Sequence, residues 1–548
     1  MRNHHTRLVL ISLLAFAALA VAHTWPLASA PAHWSRIDNG DAALNIWAVN
    51  WVGSHLLHDP AHLFEANIFY PERHTLAYSE MMLVQGLLAV PIVELGGSPV
   101  LAFNLVLLAG LTFTGWAFCL LLQRWTGSWT AGFLAGSLAA FNAHALVRFG
   151  HLQIMHVEFF ALMLFALDRL IRTRQLKDAV WLGVGFALQG LTSLYLLMFS
   201  AWALLFAVLS RAAEWWRAGA VGAVLRFGVA ALVAAMLLWP YLRTYQQLRS
   251  DSGLERGVAE QIAGSWSSYL ATGARVHRWW VPADAAASQA YGFPGVVAML
   301  LVVFALTRAD TRTDPRVRMC AVVAVGCLAV SMAPRWPLYP ALHRAIPMFQ
   351  AVRVPAHLAQ VVLLMVAVLA GFGAAALGRR WPTAARWPVG VALVLLVNAE
   401  AFRAPIGFTH FDAVPAVYET LAHERNAVVA ELPFPMGQQW FLNAPYMVHS
   451  TKHWRPMLNG YSGFMPKSYE KSYEATRGFP SQESLIALHD RGVTHVIVHR
   501  KALGDDRVAQ IARSHELQEI ASEGDIAIYR FRRVGDYQQL SNSGDRPK

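Results

Sequence analysis

Apolar residues in this chain gather into eleven long runs, at 8–28, 99–122, 129–146, 155–172, 178–191, 194–210, 222–242, 292–307, 317–333, 354–377 and 388–403. Runs of this length approach the roughly 20 residues that a helix needs to cross a bilayer core. They predict a polytopic α-helical membrane protein of about eleven transmembrane helices. After residue 403 the pattern changes. Short β-branched runs at 427–432, 493–498 and 526–531 alternate with helical stretches near 415–424, 481–491 and 506–515. That alternation predicts a soluble α/β domain. The expected organisation is a transmembrane domain over 1–403, an α/β domain over 404–535, and a polar, disordered tail over 536–548.

One segment breaks the pattern. Residues 81–95 are apolar but short, carry Pro91 and Glu94, and run into Gly96-Gly97-Ser98-Pro99. They read as an in-plane or re-entrant helix within a long outer loop, 29–98. With that reading the arginines fall on one side at every turn: Arg2 and Arg7, Arg124, Arg169 to Arg174, Arg211 and Arg217, Arg308 to Arg318, Arg379 to Arg386. By the positive-inside rule these loops are cytoplasmic, so the C-terminal domain lies outside, in the periplasm of a bacterial inner membrane. The first run resembles a signal peptide, yet it continues into Trp25-Pro26-Leu27, which favours an uncleaved first helix.

Composition fits this class: 56% of residues are hydrophobic and only 14% charged. The net charge of +11 comes from loop arginines that orient spans and meet anionic lipid, so nucleic acid is not an expected partner. Cys119, Cys320 and Cys327 each sit in an apolar run and read as core residues. Walker A, GxGxxG, HExxH and GxSxG patterns are absent, which leaves a nucleotide-driven pump without support.

The polar chemistry is concentrated in the outer loops. Asp38 and Asp41 lie shortly after the first span, where a carboxylate can take a proton from an acceptor hydroxyl during group transfer; Asp41 can equally cap the helix that follows. That helix, 42–57, sets Leu44, Trp47, Trp51 and Leu56 on one side and reads as interfacial. Arg148, His151, His156 and Glu158 occupy a short outer turn, where cations can neutralise a leaving phosphate, or simply snorkel. His151, His156 and Glu158 match no standard metal spacing, so a divalent metal stays open and no cofactor is assigned. Glu80 enters apolar sequence and must lie at the surface or face a polar cavity. Arg353 and His357 flank Pro355 at the start of the tenth run, where Arg353 can grip a phosphate head group or face lipid. A second outer loop, 243–291, is rich in Tyr, Ser and Trp and reads as a lid. Lys452, His453 and Arg455 read as a surface patch.

The segments GDAALNIWAVNW (40–51), LFEANIFYPERHTLAYSE (63–80) and FQAVRVPAH (349–357), set in this architecture, resemble the GT-C superfamily of integral-membrane glycosyltransferases, including its YfhO-like and protein O-mannosyltransferase-like branches. The resemblance implies a first-loop acid, Asp41 or Asp38, as base or metal ligand, and a polyprenyl-phosphate sugar as donor. Read from their positions in the outer loops, Arg148, His151, Arg353, Glu80, Glu158 and His357 are the candidate substrate- and phosphate-binding residues. The expected function is sugar transfer to a glycan, lipid or protein acceptor. A lipid or glycan transporter or flippase is the alternative, as is a non-catalytic glycan-assembly protein.

Overall fold

The computed structural model describes residues 2–217, 219–252, 261–281, 291–350 and 353–532. Parts of the expected lid, and the expected tail, lie outside these residues. The chain divides into two compact units that do not follow chain order. One comprises 1–31, 82–85 and 104–408; the other comprises 32–81, 86–103 and 409–548.

The first unit is helical throughout. All eleven apolar runs carry helix, and six helices are long and apolar enough to cross a membrane: Thr6–His23, Pro99–Thr126, Ala220–Ser250, Pro315–Arg335, Pro355–Gly378 and Thr383–Ala401. The chain is thus a multi-pass membrane protein. The count by length and composition is six among the described residues, below the eleven expected, because several runs are interrupted. The run at 129–146 breaks after Ala140, where Asn142 accepts from Ala145 N at 2.9 Å and starts the separate turn Ala143–Leu146. The run at 155–172 becomes helix only from Glu158.

Helix Ala359–Gly378 is buried along nearly all its length and packs on Trp129–Ala140, Val296–Thr307 and Pro315–Met332. Its small residues permit this. A Cβ at Gly373 would lie 2.1 Å from the Leu301 carbonyl oxygen. Buried polar groups pin other helices together, since an unpaired polar atom costs several kcal/mol in hydrocarbon. His23 Nε2 meets Asn398 Oδ1 at 3.0 Å, and Asn398 Nδ2 donates to Ser137 Oγ at 3.0 Å.

The second unit combines the first loop with the C-terminal segment. A short antiparallel pair joins β1 (Trp34–Ser35) to β2 (Thr409–His410). The main sheet has the order β3-β4-β6-β5, from Val429–Leu432, His495–His499, Ile526–Phe531 and Leu517–Glu523. β3 and β4 are parallel, and the remaining pairs are antiparallel. The segment after Asn67 attaches to this sheet through 457–459: Phe69 N donates to Asn459 O at 3.1 Å, Tyr70 N to Met457 O at 2.9 Å, and Leu458 N to Val429 O at 2.9 Å.

Helix Gly40–His55 is a core element and not the interfacial helix expected. Residues 42–53 are all buried, with Trp47 at 1% and Trp51 at 4% exposure. Both indole N–H groups are satisfied inside, by Asn67 Oδ1 at 3.1 Å and Leu63 O at 2.8 Å. The helix packs on Asn443–His449. Gly86 admits Val52 from the same helix: a Cβ at Gly86 would lie 2.2 Å from Val52 Cγ1. Gly86 belongs to the helix Leu83–Glu94, which forms where the in-plane or re-entrant segment was expected.

Burial lowers three imidazoles of this unit, His449 to about 4, His453 to about 3 and His495 to about 4. His499 goes the other way: burial opposes its charge, but the hydrogen bond to Glu431 and the charges of Glu431 and Asp525 together raise it. A depressed folded-state value means the unfolded chain binds more protons below about pH 6.5. The stability from the three lowered groups is full above that pH and is lost progressively as pH falls toward 4. Three groups against one predict a falling thermal midpoint between pH 7 and 5, followed by tryptophan fluorescence in detergent.

Candidate functional site

Asp41 is the first residue after Gly40 in its helix, yet the cap is its neighbour. Asn39 Oδ1 accepts from Asp41 N at 3.0 Å and Ala42 N at 3.2 Å. The Asp41 side chain is therefore not the N-cap, and its Oδ1 accepts from the Tyr461 hydroxyl at 2.8 Å. Tyr461 is held in turn by an edge-on Trp440 ring, 5.1 Å between centroids, and Trp440 Nε1 donates to Gly460 O at 2.7 Å. Asp38 is exposed and pairs with Arg36 at 3.3 Å. Glu80 is buried. It lies two residues after Tyr78, whose carbonyl oxygen would be 2.9 Å from a Cβ at Gly463. The 460–464 turn therefore touches both the Asp41 helix and the segment leading to Glu80. Tyr461 escaped the sequence reading because it is 420 positions from Asp41.

In the helical unit a second group of side chains assembles. His144, on the turn Ala143–Leu146, faces His357 with ring centroids 5.2 Å apart. Arg148 and His151 are near enough to act electrostatically on both imidazoles. His144 Nε2 and His357 Nδ1 are buried without a hydrogen-bond partner. Burial lowers the Arg148 guanidinium to about 10, so it stays cationic at neutral pH. Four nitrogen-bearing side chains thus gather in an apolar unit. His144 was not singled out from sequence, although it stands four residues before Arg148, the spacing that puts both on one helical face. Arg353 is exposed, and its carbonyl accepts from Ile262 N at 3.0 Å.

Glu158 has a different setting. It accepts from His156 Nδ1 at 3.0 Å, while His156 Nε2 meets Val106 O at 3.0 Å and Thr114 lies 3.4 Å from the other carboxylate oxygen. With both ring nitrogens engaged, His156 is a helix-to-helix tie. Among the described residues no group of three or more His, Cys, Asp or Glu is placed to hold a metal ion, so no step is derived through one. A cavity of about 30 Å³, room for about one water, adjoins the His144 turn along Asn142, Leu146 and Arg403. Lys452, His453 and Arg455 form no common patch: Lys452 pairs with Glu419, His453 is buried, and Arg455 donates to backbone carbonyls near residue 421.

These features define a multi-pass membrane protein with a helical unit and a small C-terminal sheet. Among solved structures, the chain is similar to the arabinofuranosyltransferase AftD from Mycobacteria, with TM-scores of 0.56 and 0.55 for two structures at 16% and 15% identity. The match covers 96% and 95% of this chain but 40% and 41% of AftD. The chain thus spans about two fifths of AftD's length, and at this identity the likeness is one of fold. ArnT from Cupriavidus metallidurans, in the apo state, aligns over 96% of this chain and 98% of its own, with a TM-score of 0.48 and 12% identity. No protein-family model and no curated protein matches the chain.

Gly40 tests how tightly the Asp41 end is built. An added Cβ would lie 2.8 Å from Phe441 Cβ. In open space Gly→Ala stabilises a helix by up to about 1 kcal/mol. Here Gly40→Ala is expected to lose about 1–3 kcal/mol through overpacking, read as a lowered unfolding midpoint.

Proposed function

We propose that this chain is a glycosyltransferase that moves a sugar from a polyprenyl-phosphate carrier to a cell-envelope acceptor at the periplasmic face of the bacterial inner membrane. The observation that carries this reading is the imidazole–guanidinium group around His144, His357 and Arg148, with two buried ring nitrogens still lacking partners. A buried setting beside the Arg148 cation, in an apolar unit, fits the phosphate of a lipid-linked donor. The AftD-like fold and the arginine-rich loops on one side support the class and the orientation.

In this reading the acceptor hydroxyl oxygen attacks the anomeric carbon. The bond from that carbon to the phosphate oxygen breaks, and its electron pair stays on the carrier phosphate. Asp41 takes the hydroxyl proton, oriented by Tyr461, with Asp38 as the second carboxylate of the same turn. Arg148 and His151 stabilise the charge left on the phosphate, with His357 donating to one of its oxygens. Arg353 and Glu80 steer the head group and acceptor, and Glu158 holds His156 so that the turn keeps its shape.

Asp41→Asn is expected to lower kcat for sugar transfer by about 10²–10⁴-fold, the usual reach of a general base, with the donor KM little changed. Arg148→Gln is expected to act mainly on donor KM and on the leaving-group step. Both are read with radiolabelled polyprenyl-phosphate sugar and purified protein. Full transfer by the Asp41→Asn protein would remove Asp41 from the mechanism.

A further inference from the structure

Helix Glu158–Thr173 is about 24 Å long at 1.5 Å per residue, and it runs from the His156–Glu158 tie to Arg174. At that arginine end lies a cavity of about 590 Å³, whose lining includes Arg174, Arg211, Glu214, Arg217, Pro315 and Arg318. Its charges are not equivalent. Arg211 is 1% exposed and engaged internally. Its Nη1 donates to Asp168 Oδ1 at 2.6 Å, and its Nε and Nη2 donate to the two Glu214 oxygens at 2.9 and 2.5 Å. Arg174, Arg217 and Arg318 are exposed, and among the described residues none of the three has a carboxylate partner. The wall therefore presents three cations that the protein itself does not neutralise.

The surroundings set the depth. The membrane-spanning helices Ala220–Ser250 and Pro315–Arg335 both begin at this end. Trp216, beside Arg217, is 67% exposed, and Val221, Val224 and Leu225 continue an exposed apolar strip. Exposed tryptophan at the end of a span marks the headgroup level, and arginine there meets anionic lipid. A soluble phosphate would use only the arginines; a phospholipid would also cover the strip.

We propose that this cavity binds the phosphodiester headgroup of an anionic phospholipid, held by Arg174, Arg217 and Arg318, with its acyl chains along Val221, Val224 and Leu225. In the Asp168–Arg211–Glu214 chain, with Arg172 on Asp168, two acids balance two arginines, so the three outer arginines remain as the excess charge that faces the lipid. This is a structural lipid site, separate from the His144 group and from sugar transfer.

The test uses the full-length protein in detergent, titrated with short-chain phosphatidylglycerol, short-chain phosphatidylcholine and inorganic phosphate, reading the thermal midpoint and tryptophan emission. Phosphatidylglycerol is expected to raise the midpoint saturably, and the other two are not. The triple variant R174Q/R217Q/R318Q is expected to bind phosphatidylglycerol about 100-fold more weakly, from the summed attraction of three basic residues. The variant R174K/R217K/R318K is expected to keep most of the response. An equal response to phosphatidylcholine, or unchanged affinity in the glutamine variant, would overturn the proposal. Inorganic phosphate matching phosphatidylglycerol would make this a soluble-anion site and overturn the lipid assignment. If the glutamine variant does not fold, the comparison of the three ligands on the wild-type and lysine proteins decides. Transfer activity is a separate reading and does not enter.

Discussion

An apolar helical unit has little water with which to satisfy polar atoms, so the placement of each buried polar side chain is a constraint on the whole bundle. Several are met from neighbouring helices: His23 by Asn398, Asn398 by Ser137, His156 by Glu158 and the Val106 carbonyl. Arg211 is met on both sides by acids, Asp168 and Glu214. Breaking one partner of such a buried pair costs more than the pair contributes, because the other charge is stranded. Against that background, two imidazoles facing each other beside a guanidinium, with ring nitrogens left over, are unlike the ties that merely hold helices together.

The same bundle is thus polar at two ends for different reasons. At the His144 end, His144 and His357 keep buried ring nitrogens without hydrogen-bond partners, close to the Arg148 guanidinium. At the Arg211 end, acids and arginines alternate, and only the outer arginines carry excess charge. Desolvation strengthens the first setting, while the second depends on ionic strength. Asp41 belongs to the other unit, where the Tyr461 hydroxyl donates to it.

Much of the helical architecture was legible because hydrophobic length is a strong local signal. Its interruptions were less so: Asn142 ends a run that composition alone would carry to residue 146. Helix 40–55 was found, but its setting was misread, since indoles at helical spacing look interfacial until residues 443–449 cover them. Strand β5, LQEIASE, carries too few apolar residues to stand out, and it forms by pairing with β6 across a tight turn at Gly524. At Asp41, the capping role expected of it falls to Asn39, and Tyr461 donates to its carboxylate. His144 sat inside an apolar run where a single polar residue carries little local signal.

The hydrogen bond from Asn67 to Ser450 joins positions 383 residues apart, and the strand-like segment 67–70 completes its pairing only on 457–459. During synthesis, the N-terminal half of this unit must therefore emerge long before the backbone that satisfies it exists. Until the last hundred or so residues arrive, the indoles of Trp47 and Trp51 lack their cover and the Asn67 amide lacks its acceptor. The protein is in this sense obliged to mature late, and an interrupted translation product would expose a sticky, half-built core to whatever chaperones await it.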